Sequence, residues 1–275
     1  MRASVRFRLA GAASVAAVVA LAGCASQGTS GGAPPVAAHP AAAIQAVQLA
    51  VGRTAHVSSM TFTMTASVAG TGLVESGTLT TTKPLRGVLT MNIPQLGQSE
   101  IRLVGDSFYM HSPALAAHLG KPWVKMDLAM TGKLSGLNLK QLFDQASQAG
   151  PAGTLALLSK AGTITRAGSD TIRGAVATHY TGTINLTKAL HELSPALASQ
   201  LGPLVSQLGV KDISIDLWIG ADALPVRAVE SYDSSVGHSR VQIDFTAYNV
   251  PVRVAVPPAS QTVDLASVLT KLAAG

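Results

Sequence analysis

The residue whose chemistry is simplest to assign is Cys24, the only cysteine among 275 residues. It follows Leu21-Ala22-Gly23, a run that resembles the bacterial lipobox. Small residues before the thiol let a peptidase approach the backbone, and sulfur is the atom that diacylglycerol alkylates. Upstream, Arg2, Arg6 and Arg8 precede an uncharged stretch from Leu9 to Leu21. Its length fits the ~7–15 residues of a secretory apolar segment and falls short of the ~18 of a membrane span. Residues 1–23 therefore read as a lipoprotein signal peptide, with Cys24 as the acylated end of the mature chain. One buried chain of sixteen carbons is worth ~12 kcal/mol at ~0.8 kcal/mol per CH₂, so two or three make a firm anchor. A lone cysteine excludes an intramolecular disulfide framework, a zinc ribbon and a Cys-ligated iron–sulfur cluster.

The other chemical candidates are weaker. His191-Glu192 has the start of a zincin helix motif, but Pro195 stands where the second histidine ligand belongs. Gly105-Asp106-Ser107 superficially resembles an esterase motif, yet it lies between two alternating segments and reads as a β-hairpin turn. No G-x-S-x-G, Walker A or G-x-G-x-x-G run occurs. The seven histidines, His39, His56, His111, His118, His179, His191 and His238, have no compact metal-ligand spacing. No catalytic activity, metal or cofactor is expected. Three of the 20 basic residues lie in the signal segment, and the remainder form no cluster against the 14 acids. Aromatics make up 4% and do not alternate with basic residues, so no nucleic-acid partner is expected.

Charged residues are 12% of the chain against an ordinary ~25%, and hydrophobic residues 47%. Residues 24–40 hold the acylated cysteine and a Gly/Ser/Ala/Pro tether with a reach of roughly 20 Å as a flexible coil. From 41 to 275 the chain reads as one domain. Ala41 to Arg53 is expected to be helical, with Ile44, Val47 and Val51 at helical spacing. Ser59 to Val68 alternates polar residues with Met60, Phe62, Met64, Ala66 and Val68, the period of a strand with one apolar face. The same alternation marks Leu89, Met91, Ile93; Ile101, Leu103; Phe108, Met110; Ile213 to Ile219; Val241, Ile243, Phe245; and Val252, Val254, Val256. Turns are expected at Gly70-Thr71-Gly72, Lys83-Pro84, Gly105-Asp106-Ser107, Gly168-Ser169-Asp170 and Gly220-Ala221-Asp222. Strands joined by such turns predict an antiparallel meander rather than βαβ units. Helical stripes run through Leu139, Leu142, Phe143 and Ala146, and through Leu190, Leu193, Leu197, Leu201, Leu204 and Leu208. Ser194-Pro195 reads as an N-cap with proline at the first helical position, dividing the second stripe. A short helix is expected over 265–272.

Four of the six methionines beyond the initiator, Met60, Met64, Met91 and Met110, lie on apolar strand faces. Methionine fills irregular space, which suits a ligand of variable shape, but periodicity alone favours a plain core covered by the amphipathic helices.

Several stretches add a family resemblance. Lys121-Pro122-Trp123-Val124-Lys125-Met126, Ala177-Thr178-His179-Tyr180-Thr181-Gly182-Thr183-Ile184, Asp216-Leu217-Trp218-Ile219 with Leu224-Pro225-Val226-Arg227, and Asp244 to Val252 with Pro257-Pro258 follow one another in a fixed order. This order resembles the LppX/LprAFG lipoproteins of mycobacteria and related actinobacteria. The resemblance implies a LolA-like fold: mainly β, a curved antiparallel half-barrel with helices covering an apolar concave face. It further implies a carrier for a lipid or acylated glycolipid, lipid-anchored on the extracytoplasmic face of the cell membrane, with an envelope transporter as a further partner. On that reading Met60, Phe62, Met64, Leu89, Met91, Ile93, Phe108 and Met110 line the cavity, and Leu142, Phe143, Leu197 and Leu201 lie on its cover. The alternatives are a ligand-free envelope interaction or sensing module of the same fold, and an extracytoplasmic hydrolase.

Overall fold

The structure is a computed structural model that describes residues 40–127 and 162–267, apart from 69, 94, 95, 194 and 266. Twelve strands form one open sheet. The first meander comprises β1 (Ser59–Val68), β2 (Thr71–Thr80), β3 (Arg86–Ile93), β4 (Gly97–Val104), β5 (Ser107–His111) and β6 (Trp123–Asp127). The second comprises β7 (Gly162–Ile172), β8 (Ala175–Asn185), β9 (Asp212–Ile219), β10 (Pro225–Ser234) and β11 (Gly237–Tyr248). A short β12 (Thr262–Asp264) completes the set. The spatial order is β12-β6-β5-β4-β3-β2-β1-β11-β10-β9-β8-β7. Every pairing is antiparallel except β12 with β6.

The predicted strand over Ser59–Val68 is β1, and it sits at the centre of the sheet. It joins the two meanders through its ladder with β11, where Phe62 faces Phe245 and Met64 faces Ile243, with a bulge between Thr61 and Phe62. Beyond the ladder, Asn249 Oδ1 accepts from the Ser58 backbone N–H at 2.8 Å. Gly105-Asp106 forms the predicted hairpin turn between β4 and β5; Gly105 has φ +62, a conformation glycine enters without a Cβ penalty.

Four helices accompany the sheet among the described residues. α1 (Pro40–Thr54) matches the expected helix, but its buried stripe is Ala43, Val47 and Ala50, with Ile44 and Val51 flanking it. Small residues occupy that stripe because α1 lies close against the sheet, packing on β7 and the central core. α2 (Pro113–Leu119) was not anticipated, although its signals are local. The Ser112 hydroxyl accepts from the Leu115 N–H, Pro113 takes the first turn, and Gly120 ends the helix at φ +69. α3 (Leu186–Glu192) is capped by Asn185. α4 (Pro195–Leu208) begins at the proline, so the leucine stripe is divided where Ser194-Pro195 predicts. The C-terminus of α4 is tied to the β10–β11 hairpin, where the Ser235 N–H donates to Leu208 O at 2.7 Å.

Two expectations are corrected. Gly168-Ser169-Asp170 is not a turn: it lies inside β7, at a bulge after Arg166, and the chain reverses at Arg173-Gly174 instead. Val252, Val254 and Val256 form no strand; residues 251–258 have no regular secondary structure and no ladder partner, and Arg102 Nη1 donates to Ala255 O at 2.9 Å. The helix expected around Leu139 to Ala146 and most of that over 265–272 lie outside the described residues.

Candidate functional site

The register places most of the apolar strand residues on one face. Across the sheet, Phe62, Gly77, Leu89, Ile101, Met110 and Val124 form one row, and Glu75, Met64, Ile243, Ala228, Leu217 and Tyr180 fall in the neighbouring one. This is the concave face, and its two halves differ. On β1 and β8–β11, Met60, Phe62, Met64, Ile184, Leu217, Ile243 and Phe245 are buried in one cluster with Ala43, Val47 and Ala50 of α1 and Ala189 of α3. On β3–β5, Leu89, Met91, Ile93, Ile101, Phe108 and Met110 are only half-buried. Of these six, Leu89 alone packs against the cluster.

The residues expected to line a cavity therefore divide. Met60, Phe62 and Met64 are 2%, 1% and 2% exposed and belong to the packed half. Leu89, Met91, Ile93, Phe108 and Met110 form the half-buried wing. On the expected cover, Leu201 is half-buried in α4, the side chain of Leu197 lies outside the described set, and Leu142 and Phe143 fall outside the described residues. Cys24 does too.

Two concave-face residues escaped the sequence reading. Glu75 pairs across β1 with Met64 and across β3 with Met91, and it is 6% exposed. Glu230 lies between Val241 and Ile215. Burial pushes both carboxyls above the usual glutamate range. Neither has a hydrogen-bond or ion-pair partner among the described residues. The signal was present in Leu73, Glu75, Gly77 and Leu79, where a carboxylate stands in an apolar register.

The convex face carries a set of paired polar and aromatic groups. His179 Nε2 lies 2.8 Å from Asp216 Oδ1, and its ring stacks on Trp218 at 4.2 Å. Trp218 Nε1 donates to Asp170 Oδ2 at 2.7 Å, and Arg227 Nε donates to Asp244 Oδ1 at 2.7 Å. Arg102 lies over the Trp123 ring at 4.4 Å. The His179–Asp216 pair orients an imidazole as hydrolases do, but a triad also needs a nucleophile on the other ring nitrogen. Here His179 Nδ1 faces a second carboxylate, Asp170, at 3.5 Å. Ser107 of the esterase-like turn donates instead to Asp127 Oδ1 at 2.7 Å. Among the described residues no group of three or more metal-ligating side chains converges.

These features define a class: a single open antiparallel sheet, mostly β, with helices packed on its concave apolar face. The solved structures place the chain more closely in the LppX/LprF fold. LprF from Mycobacterium bovis superposes with a TM-score of 0.56 at 16% identity, covering 81% of this chain and 100% of that one. LppX from Mycobacterium tuberculosis superposes with a TM-score of 0.50 at 16% identity, covering 79% and 100%. The resemblance read from the order of the Trp123, His179–Tyr180 and Trp218 motifs is thus met by the fold. In sequence, the chain is 28% identical over 178 residues to an uncharacterised 31.2 kDa protein from the rplA–rplJ intergenic region of Streptomyces griseus. It is 26% identical over 198 residues to a Streptomyces coelicolor protein provisionally named a lipoprotein. The chain spans about three fifths of the length of these curated relatives, 58% and 61%. No known family profile matches the chain.

Proposed function

We propose that this chain is a lipoprotein, anchored through acylated Cys24 to the extracytoplasmic face of the cell membrane, that holds a lipid or acylated glycolipid against its concave face and carries it. Residues 1–23 are the signal peptide, 24–40 the anchor and tether, and 41–275 the carrier domain. The observation that carries this reading is the half-buried wing of Leu89, Met91, Ile93, Ile101, Phe108 and Met110, which continues the apolar register of the packed core without being closed by it. An acyl chain covered there would exchange one apolar surrounding for another, at ~25 cal/mol per Å² in either place, so loading and release would both be accessible. The fold shared with LprF and LppX is compatible with this role, and the Streptomyces coelicolor relative's name with the lipid anchor.

The solid packing of Met60, Phe62 and Met64 under α1 supports a second reading, a ligand-free envelope module whose concavity is filled by its own side chains. One measurement separates the two. The protein is purified from its native membrane, extracted with organic solvent and analysed by mass spectrometry. The carrier reading expects a near-stoichiometric acylated lipid beyond the anchor's own chains. Its consistent absence refutes that reading and favours the filled module.

A further inference from the structure

Segments remote in sequence meet at the end of the sheet where β1 begins. The Thr81 N–H donates to Ser58 O at 3.0 Å, tying the β2–β3 connection to the α1–β1 connection. Asn249 Oδ1 accepts from the Ser58 N–H at 2.8 Å and the Asn249 N–H donates to Ser59 O at 2.8 Å, which brings in the chain leaving β11. The Gly105 N–H donates to Leu85 O at 2.7 Å and joins the β4–β5 turn to the same end. These segments carry Arg53 in the last turn of α1, Lys83 and Arg86 around the β2–β3 connection, and Arg253 after β11. All four are exposed. In the sequence they are scattered and form no run; the fold collects them.

The acids at this end do not balance them. Asp106, in the β4–β5 turn, is the one described acid on the joined segments. Further along the same end, Asp127 Oδ1 lies 3.3 Å from Lys125 Nζ, and Asp222 Oδ1 accepts from the Leu224 N–H at 3.1 Å. At the opposite end, where the β1–β2 and β10–β11 hairpins turn, Lys121, Lys188 and Lys211 stand with as many acids, Glu192, Asp212 and Asp233. The sheet therefore has a cationic end and a balanced one. Pro84, next to Lys83, and Pro251, two residues before Arg253, are also exposed. Basic side chains beside exposed apolar rings suit a phospholipid surface, where cations meet phosphates and apolar groups enter the interfacial layer.

We infer that the end of the sheet bearing Arg53, Lys83, Arg86 and Arg253 is a docking surface for an anionic phospholipid bilayer, so that the domain stands on the membrane with its strands upright. The inference rests on the anchored reading and adds an orientation to it. Docked this way, the row Leu79, Gly87, Leu103, Phe108 and Met126 is the part of the wing nearest the bilayer. A guest chain then enters the wing along the strands, from the Phe108 end.

The test uses the full acylated chain in vesicles of phosphatidylcholine alone, or of phosphatidylcholine and phosphatidylglycerol in equal parts. With Cys24 acylated, an introduced cysteine is the only free thiol. Thr82→Cys reports on the cationic end, and Val236→Cys, in the β10–β11 turn, on the opposite one. Each carries a fluorophore quenched by head-group nitroxide lipids. In the mixed vesicles the Thr82 label should be strongly quenched and the Val236 label little; in the neutral vesicles the two should be alike. A basic residue near an anionic surface is worth about fivefold in the docking equilibrium, so Arg53→Gln/Arg86→Gln/Arg253→Gln should lower it roughly a hundredfold and abolish the difference. High salt should do the same, and the matching triple Arg→Lys variant should keep the difference, with circular dichroism checking the fold. Equal quenching of the two labels in the mixed vesicles overturns the docking surface and leaves the anchored reading standing. An equal difference in neutral vesicles overturns the anionic partner, and one that survives in the glutamine variant overturns the assignment to these cations. A chain that washes off both vesicles overturns the anchored reading and this orientation with it.

Discussion

The two halves of the concave face should respond oppositely to the same added volume. Met64 is 2% exposed, between Ile243 and Glu75 and within the cluster sealed by α1. Replacing it with tryptophan drives an indole into space already filled, and overpacking of this kind costs ~1–3 kcal/mol. Met110 lies in a comparable mid-sheet position, between Ile101 and Val124, but is half-buried on the wing. The same substitution there has room, so its effect on stability should stay within about 0.5 kcal/mol, as for sites away from packed cores. At ~2–4 °C per kcal/mol for a domain of this size, Met64→Trp should lower Tm by several degrees and Met110→Trp by about one. Ligand recovery should invert the order. Met110→Trp fills the surface proposed for the acyl chain and should reduce co-purified lipid sharply, whereas Met64→Trp should do so only as far as it unfolds the protein. Differential scanning fluorimetry paired with lipid mass spectrometry reads both quantities on one preparation. Equal destabilisation by the two variants would refute the division of the face into a packed half and an open wing.

Three further outcomes follow from other features. Cys24→Ala should leave the chain unacylated and release it from the membrane fraction; retention as firm as wild type would rule out the lipid anchor. Glu75→Gln should raise stability in a pH-dependent way. Burial raises the carboxyl's folded-state pKa, so its protonated form is stabilising below the ordinary carboxyl range and that contribution is lost as pH rises through the raised value. The variant should therefore match wild type near about pH 4 and exceed it near about pH 8 in denaturant titrations, and a gain that is flat with pH would count against a buried, unpaired acid. Gly182→Ala should be severely destabilising, because a Cβ there would lie 2.3 Å from the Thr163 backbone oxygen, which has no rotamer to yield. Thermal unfolding checks it, and a change under about 0.5 kcal/mol would contradict the close approach of β7 and β8.

Half-buried strands were the legible part of the fold. β1 declared itself because Met60, Phe62 and Met64 alternate with threonines that face the polar convex side. The same logic failed at Val252, Val254 and Val256, where the period is right but no neighbouring strand supplies a ladder. It also failed at Gly168-Ser169-Asp170, since a bulge on an edge strand uses the same residue types as a turn. α2 was missed although Ser112-Pro113 and Gly120 mark both its ends, because seven residues carry no full apolar period. The apolar face itself was readable from alternation, but which side chains are sealed depends on where α1 lands, a tertiary fact. Glu75 and Glu230 went unread because a single acid in an alternating run is read as an exposed residue until the register fixes its side.

The position of β1 has a consequence for how the molecule is assembled. Each meander pairs strands that are neighbours in the chain, but among the described residues the two share a single ladder, β1 with β11, flanked by contacts such as Ser58 to Asn249, 191 residues apart. Loop-closure entropy grows only slowly with length, yet ladders between such distant segments form late and slowly. Until that seam closes, Phe62 and Phe245 are each an exposed apolar side chain on a separate half-sheet, and the concave face does not exist. The packed half of the concave face is thus completed late, so the folding chain passes through a stage in which two half-sheets each expose an apolar surface before they meet.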